Sequence, residues 1–168
     1  LLADELNGIG ASDVRLTDYG VVLATIPATV SIDSPTIAFL AHVDTAPQFN
    51  ATGVQPIVHR RYPGGDIALP EGGVVLSPEA FPYLSAKVGE DIVTANGTTL
   101  LGADDKAGLA VIFEVIRVLK EQNLPHGTIQ FVITVGEESG LVGAKAIDPT
   151  HLKAKFGYAL DSDGKVGN

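Results

Sequence analysis

Three apolar, strand-like runs in this chain end directly in side chains that can bind a metal. Residues 37–41 run into His42 and Asp44, residues 128–135 into Gly136, Glu137 and Glu138, and residues 157–160 into Asp161. Runs of this kind put their terminal side chains along one edge of a sheet, and ligands of open α/β sheets gather in the crevice beyond the carboxyl ends of the strands. Histidine with carboxylates is ligand chemistry for zinc, manganese or cobalt. Cysteine is absent, which excludes disulfide frameworks, thiolate metal sites and cysteine nucleophiles, so any metal sits on oxygen and nitrogen.

The segments between these runs supply helices. Leu109, Ile112, Phe113 and Ile116 fall at i, i+3, i+4 and i+7, so residues 107–120 read as a helix with a broad apolar face. Asp104 and Asp105 precede it, where the helix dipole favours negative charge. Asn123 to Pro125 stops the helix, residues 128–135 form the next strand, and a second helix is expected over residues 139–147. Upstream, residues 1–6 read as the end of a helix closed by Gly8 and Gly10, and residues 20–26 as a strand before Pro27. The expected fold class is α/β, with a mostly parallel or mixed sheet flanked by helices.

Residues 46–99 break this pattern. Pro47, Pro56, Pro63, Pro70, Pro78 and Pro82 alternate with glycine pairs at 64–65 and 72–73, which predicts loop and short hairpin rather than helix. The apolar residues among them, including Ile57, Ile67, Val74, Val75 and Phe81, favour a folded, irregular excursion over a flexible linker.

At 168 residues the chain is sized for one domain. Its formal charge of −9 argues against nucleic acid as a partner, since phosphate binding needs clustered Lys and Arg. No apolar run approaches the ~20 residues of a membrane span, and the start lacks a signal-peptide pattern. The expectation is no membrane partner and a soluble, cytoplasmic protein. Leu1 enters mid-helix and methionine is absent, so the chain reads as a piece of a longer product.

Each cluster has its own chemistry. His42 and Asp44 alternate on an extended segment and project to one side, and a carboxylate beside a ligating imidazole fixes its tautomer. Glu137 and Glu138 together are costly in a partly buried place unless a cation or a proton compensates them, which suggests one on a metal and one free to move a proton. Asp161-Ser162-Asp163-Gly164 invites comparison with a calcium loop, but the third oxygen ligand and the closing Glu are missing. The H-E-x-x-H, G-x-S-x-G, G-x-G-x-x-G and P-loop signatures are absent.

Taken in order, L-A-H-V-D-T at residues 40–45, G-G-D-I at 64–67, V-L-S-P at 75–78 followed by Phe81-Pro82, T-L-L-G-A-D-D-K-A-G at 99–108, Pro125-His126-Gly127 and G-E-E-S-G at 136–140 resemble one family. It is the tripeptide aminopeptidase branch of the two-zinc peptidases, which also include carboxypeptidase G and aminoacylase types. The resemblance runs from end to end and implies a metallo-aminopeptidase that releases the N-terminal residue of tripeptides by attack of metal-activated water. It implies two Zn2+ ions, with Co2+ or Mn2+ accepted by the same donors. Asp104 would bridge the pair, His42 and Asp161 would complete one metal, and Glu138 would bind the other. Asp44 would orient His42, Glu137 would be the general base, and Asp105 would be structural.

The family pattern also holds a late histidine for the second metal and an inserted lid domain that commonly mediates dimers, and neither is found here. The expectation is therefore a partial catalytic domain over residues 1–168, with short peptides bearing a free N-terminus as partners and a homodimer as an option for the full-length protein. His59, His126 and His151 match no family ligand, His126 reading as a strand-entry residue and His151 as surface. Two alternatives stay open: a related two-zinc hydrolase acting on N-acyl amino acids or C-terminal residues, and a truncated metal-binding segment without turnover.

Overall fold

The computed structural model describes residues 1–161. Ser162, Asp163 and Gly164 of the calcium-loop comparison lie outside them. The chain divides into two compact units, one formed by Leu1–Ala46 with the chain from Ala103 onward, the other by Pro47–Gly102.

The first unit is built on a five-stranded sheet of order β1-β2-β8-β3-β9. Its strands are β1 (Ser12–Leu16), β2 (Val22–Ile26), β3 (Ile37–His42), β8 (Ile129–Thr134) and β9 (Phe156–Ala159). β8 pairs antiparallel with β2 and parallel with β3, and β3 pairs parallel with β9. The sheet is thus mixed. β1, an addition to the sequence reading, is short and largely exposed, and it joins β2 antiparallel through an irregular register.

Alternation along the strands sends two apolar sets to opposite faces. Val22, Ala24 and Ile26 of β2, Ile129, Phe131 and Ile133 of β8, and Ala41 of β3 pack with Leu6 of α1 (Leu2–Gly8) and with Ile112 and Ile116 of α2 (Ala103–Glu121). Burying each large aliphatic side chain contributes about 1.5–3 kcal/mol. On the other face Leu23, Ala38 and Val132 meet Ile147 and Ala154. Gln130 is buried there, yet satisfied: its Nε2 donates to the His151 carbonyl at 2.7 Å and its Oε1 accepts from the Lys153 amide at 3.0 Å. One side chain thereby ties the 151–153 segment to the sheet.

One helix keeps to expectation and one departs from it. α2 carries non-helical backbone at Asp104 (ψ 116°) and Asp105 (ψ 32°), so its regular turns start after the acidic pair. The helix expected over residues 139–147 shrinks to α3 (Val142–Lys145), because Gly140 (φ 96°) and Leu141 (φ 63°) take left-handed conformations that no helix continues through. Among the described residues no helix is long and apolar enough to cross a membrane.

The second unit contains two small antiparallel pairings, β4 (Ile57–His59) with β7 (Ile92–Thr94) and β5 (Ile67–Ala68) with β6 (Val75–Leu76). It also holds a 3-10 helix, Pro82–Lys87. That turn corrects the expectation of loop and hairpin without helix: Pro82 stands in its first turn, where a fixed φ suits helical entry and the missing N–H costs nothing. Tyr62 is fully buried in this unit, its hydroxyl donating to the Gly65 carbonyl.

Candidate metal centre

The carboxyl ends of β3, β8 and β9 lie side by side, and the start of α2 meets β3, so the side chains from all four converge. His42 ends β3 and is only 2% exposed. Its Nε2 lies 2.9 Å from Asp104 Oδ1, 3.8 Å from Asp161 Oδ2 and 4.0 Å from Glu137 Oε2. Asp44 places its backbone carbonyl 3.1 Å and a carboxylate oxygen 3.4 Å from His42 Nδ1.

The Asp44 carboxylate has a second task that spacing did not announce. Its Oδ1 accepts from the Glu137 amide at 3.1 Å and its Oδ2 from the Glu138 amide at 3.2 Å. The turn after β8 is therefore clamped to the segment after β3. Gly136 (φ 65°) starts that turn, and the Glu137 carbonyl accepts from the Gly140 and Leu141 amides at 2.8 and 2.9 Å. Glycine is needed where the chain must turn left-handed.

Asp105, expected to be structural, is 3% exposed and aimed at the main chain. Its Oδ2 accepts from the His42 amide at 3.3 Å and its Oδ1 from the Gly108 amide at 3.2 Å. Asp104, joined to it by a cis peptide, is 69% exposed on its side chain and faces the cluster. Lys106 Nζ donates to the Val43 carbonyl at 3.2 Å, a further tie between α2 and the end of β3.

Burial opposes charge on His42, but the hydrogen bond it donates to Asp104 and the fields of Asp44, Asp104 and Asp161 outweigh it and raise its pKa. Burial likewise opposes charge on Asp44, and there the amides of Glu137 and Glu138 prevail and lower its pKa. Burial pushes Asp105 up, against the His42 and Gly108 amides that favour its charged form.

Two groups of donors come close enough to share a cation: His42, Asp104 and Asp161, and His42, Glu137 and Glu138, with ligand atoms inside each group within 4.8 Å of one another. His42 is common to both groups. With its one neutral-form proton on Nδ1 toward the Asp44 carbonyl, His42 turns an unprotonated Nε2 to carboxylate oxygens, an arrangement that a divalent metal suits. The other histidines stand elsewhere: His59 Nε2 meets Thr94 Oγ1 at 3.0 Å, His126 Nδ1 meets the Gly127 carbonyl at 2.8 Å, and His151 Nε2 accepts from Arg15 at 2.8 Å.

A mixed α/β sheet with one buried histidine and several carboxylates at its strand ends is the layout of a metal-dependent hydrolase. Residues 21–166 match peptidase family M28, and the chain belongs to that family. The family is one of metallopeptidases, which makes a metal its cofactor. Peptidase T of Citrobacter koseri is 45% identical over 164 residues, 98% of this chain and 40% of that protein. The crystal structure of aminopeptidase PepT from Bacillus cereus is similar at TM-score 0.74 and 42% identity, over 99% of this chain and 38% of that one. A tripeptidase from Staphylococcus aureus has TM-score 0.74 and 36% identity over the same shares, 99% and 38%. The chain thus spans about two-fifths of the length of these relatives.

Proposed function

We propose that the protein is a metal-dependent aminopeptidase that removes the N-terminal residue of tripeptides. The observation that supports this reading most directly is the convergence of Asp104, Asp161 and Glu137 on His42 Nε2, at 2.9, 3.8 and 4.0 Å. Similarity to Peptidase T and to a tripeptidase adds the substrate class. A cytoplasmic setting and a homodimer of the full-length protein belong to the same reading.

In this reading His42, Asp104 and Asp161 would hold one Zn2+ ion, and Asp104 and Glu138 would hold a second together with the late histidine of the family pattern. Bound there, they would supply Lewis acidity toward the scissile carbonyl and lower the pKa of water. Glu137, one-third exposed at the mouth of the cluster, takes the proton of the attacking water and returns it to the departing amine. Asp44 holds His42 in its tautomer and fixes the main chain of Glu137 and Glu138. Asp104 keeps its carboxylate toward Nε2 while Asp105 turns into the main chain.

Side-by-side assays of a tripeptide, a dipeptide and an acetylated amino acid, on the full-length protein with zinc and after chelation, test the reading. Tripeptide cleavage that is fastest and lost on chelation is the expected result. Preference for the acetylated amino acid would favour the N-acyl hydrolase alternative instead.

A further inference from the structure

In a parallel sheet the amides and carbonyls of alternate residues face one neighbour, and those between face the other. On β3, the Leu40 carbonyl accepts from the Leu160 amide of the β9 segment at 2.9 Å, while the Val43 amide donates to Thr134 of β8 at 3.1 Å. His42, two residues beyond Leu40, therefore turns its N–H toward the β9 side, where a continued ladder would offer it the Leu160 carbonyl. The Asp105 carboxylate takes that N–H instead, at 3.3 Å. The Leu160 carbonyl packs on Gly108: a Cβ there would lie 2.4 Å from it and 2.4 Å from Asp105 Oδ1.

We propose that Asp105 is a positioning residue of the metal centre: by capping the His42 amide it ends the β3–β9 pairing just before Asp161 and keeps the two ligands apart. The gap so held is 3.8 Å from His42 Nε2 to Asp161 Oδ2, wide enough for a cation and too wide for a hydrogen bond. Both Asp105 oxygens are committed to main-chain amides, so it acts through His42 and is not itself a ligand. Gly108 belongs to the same junction, since only a residue without Cβ admits the carboxylate and the Leu160 carbonyl together. This inference rests on the metal-binding reading above.

The test is a zinc titration by calorimetry on the full-length protein and on Asp105→Asn, joined to the visible spectrum of each protein loaded with cobalt. Asparagine keeps one oxygen for one amide and presents an NH2 to the other, so the cap is half lost while size is kept. Weakening of zinc affinity by about 10- to 100-fold, with shifted cobalt bands and an unchanged far-UV circular dichroism spectrum, is expected. A purely structural role would lower the melting temperature and leave affinity and spectrum alone, and that outcome overturns the proposal. If the parent protein binds no zinc, the metal reading itself fails and takes this inference with it. Should the variant not fold, the parent decides: a His42 amide proton shifted downfield and protected from exchange supports the cap, and free exchange refutes it.

Discussion

A histidine as buried as His42 among carboxylates needs a positive charge, which either a proton or a metal can supply. Its raised pKa sets the sign for the chelated protein. The stabilising charge is fully present below the unfolded histidine value of about 6.5 and is lost as pH rises through the higher folded value. Melts of chelated parent and His42→Gln should therefore differ most near pH 5–6 and converge above neutrality; a pH-independent difference would contradict this. Asp44 runs the other way: its lowered pKa contributes stability above the unfolded carboxylate range, lost as pH falls through the folded value.

The carboxylates separate by role at the same scale. Glu137→Ala is expected to retain zinc while kcat falls by about 10²- to 10⁴-fold, the usual contribution of a general base. Asp104→Ala is expected to lose the metal. Metal content and steady-state kinetics on the two variants check both, and a Glu137 variant with ordinary turnover would remove it from that role. That His42, Asp44, Glu137, Glu138 and Asp161 come together was legible because each stands at or just beyond the end of an apolar strand. The inward turn of Asp105 was not, because the helix-start pattern is the same whether an acid caps its own helix or reaches across to another strand.

Elements show the same division. The apolar stripe from Leu109 to Ile116 and the runs at 37–41 and 128–135 announced α2, β3 and β8, because burial enforces their periodicity. β1 has no counterpart in the sequence reading because its residues are mostly exposed and Val14 and Leu16 are too few to mark a strand. The insertion of β8 between β2 and β3 is a long-range choice that no local pattern encodes. The junction of α2 with the segment after β9 leaves no room for a side chain at Gly108. Gly108→Ala forces a Cβ to within 2.4 Å of two oxygens, one of them backbone, and overpacking of this kind costs about 1–3 kcal/mol. Urea melts should show that loss, and an alanine variant as stable as the parent would mean the junction is looser than the structure describes.

For the whole molecule, one sheet gathers candidate ligands from segments as far apart in sequence as His42 and Asp161, while Pro47–Gly102 folds as a unit of its own. That gathering brings together donors that each look ordinary alone into groups that could hold a metal ion. The most direct measurement is an anomalous-scattering map at the zinc edge from crystals of the zinc-loaded full-length protein. A peak bonded to His42 Nε2 and to carboxylate oxygens of Asp104 and Asp161, at about 2.0–2.2 Å, is the predicted result. A map with no peak there, or with zinc on His59, His126 or His151 instead, would contradict it.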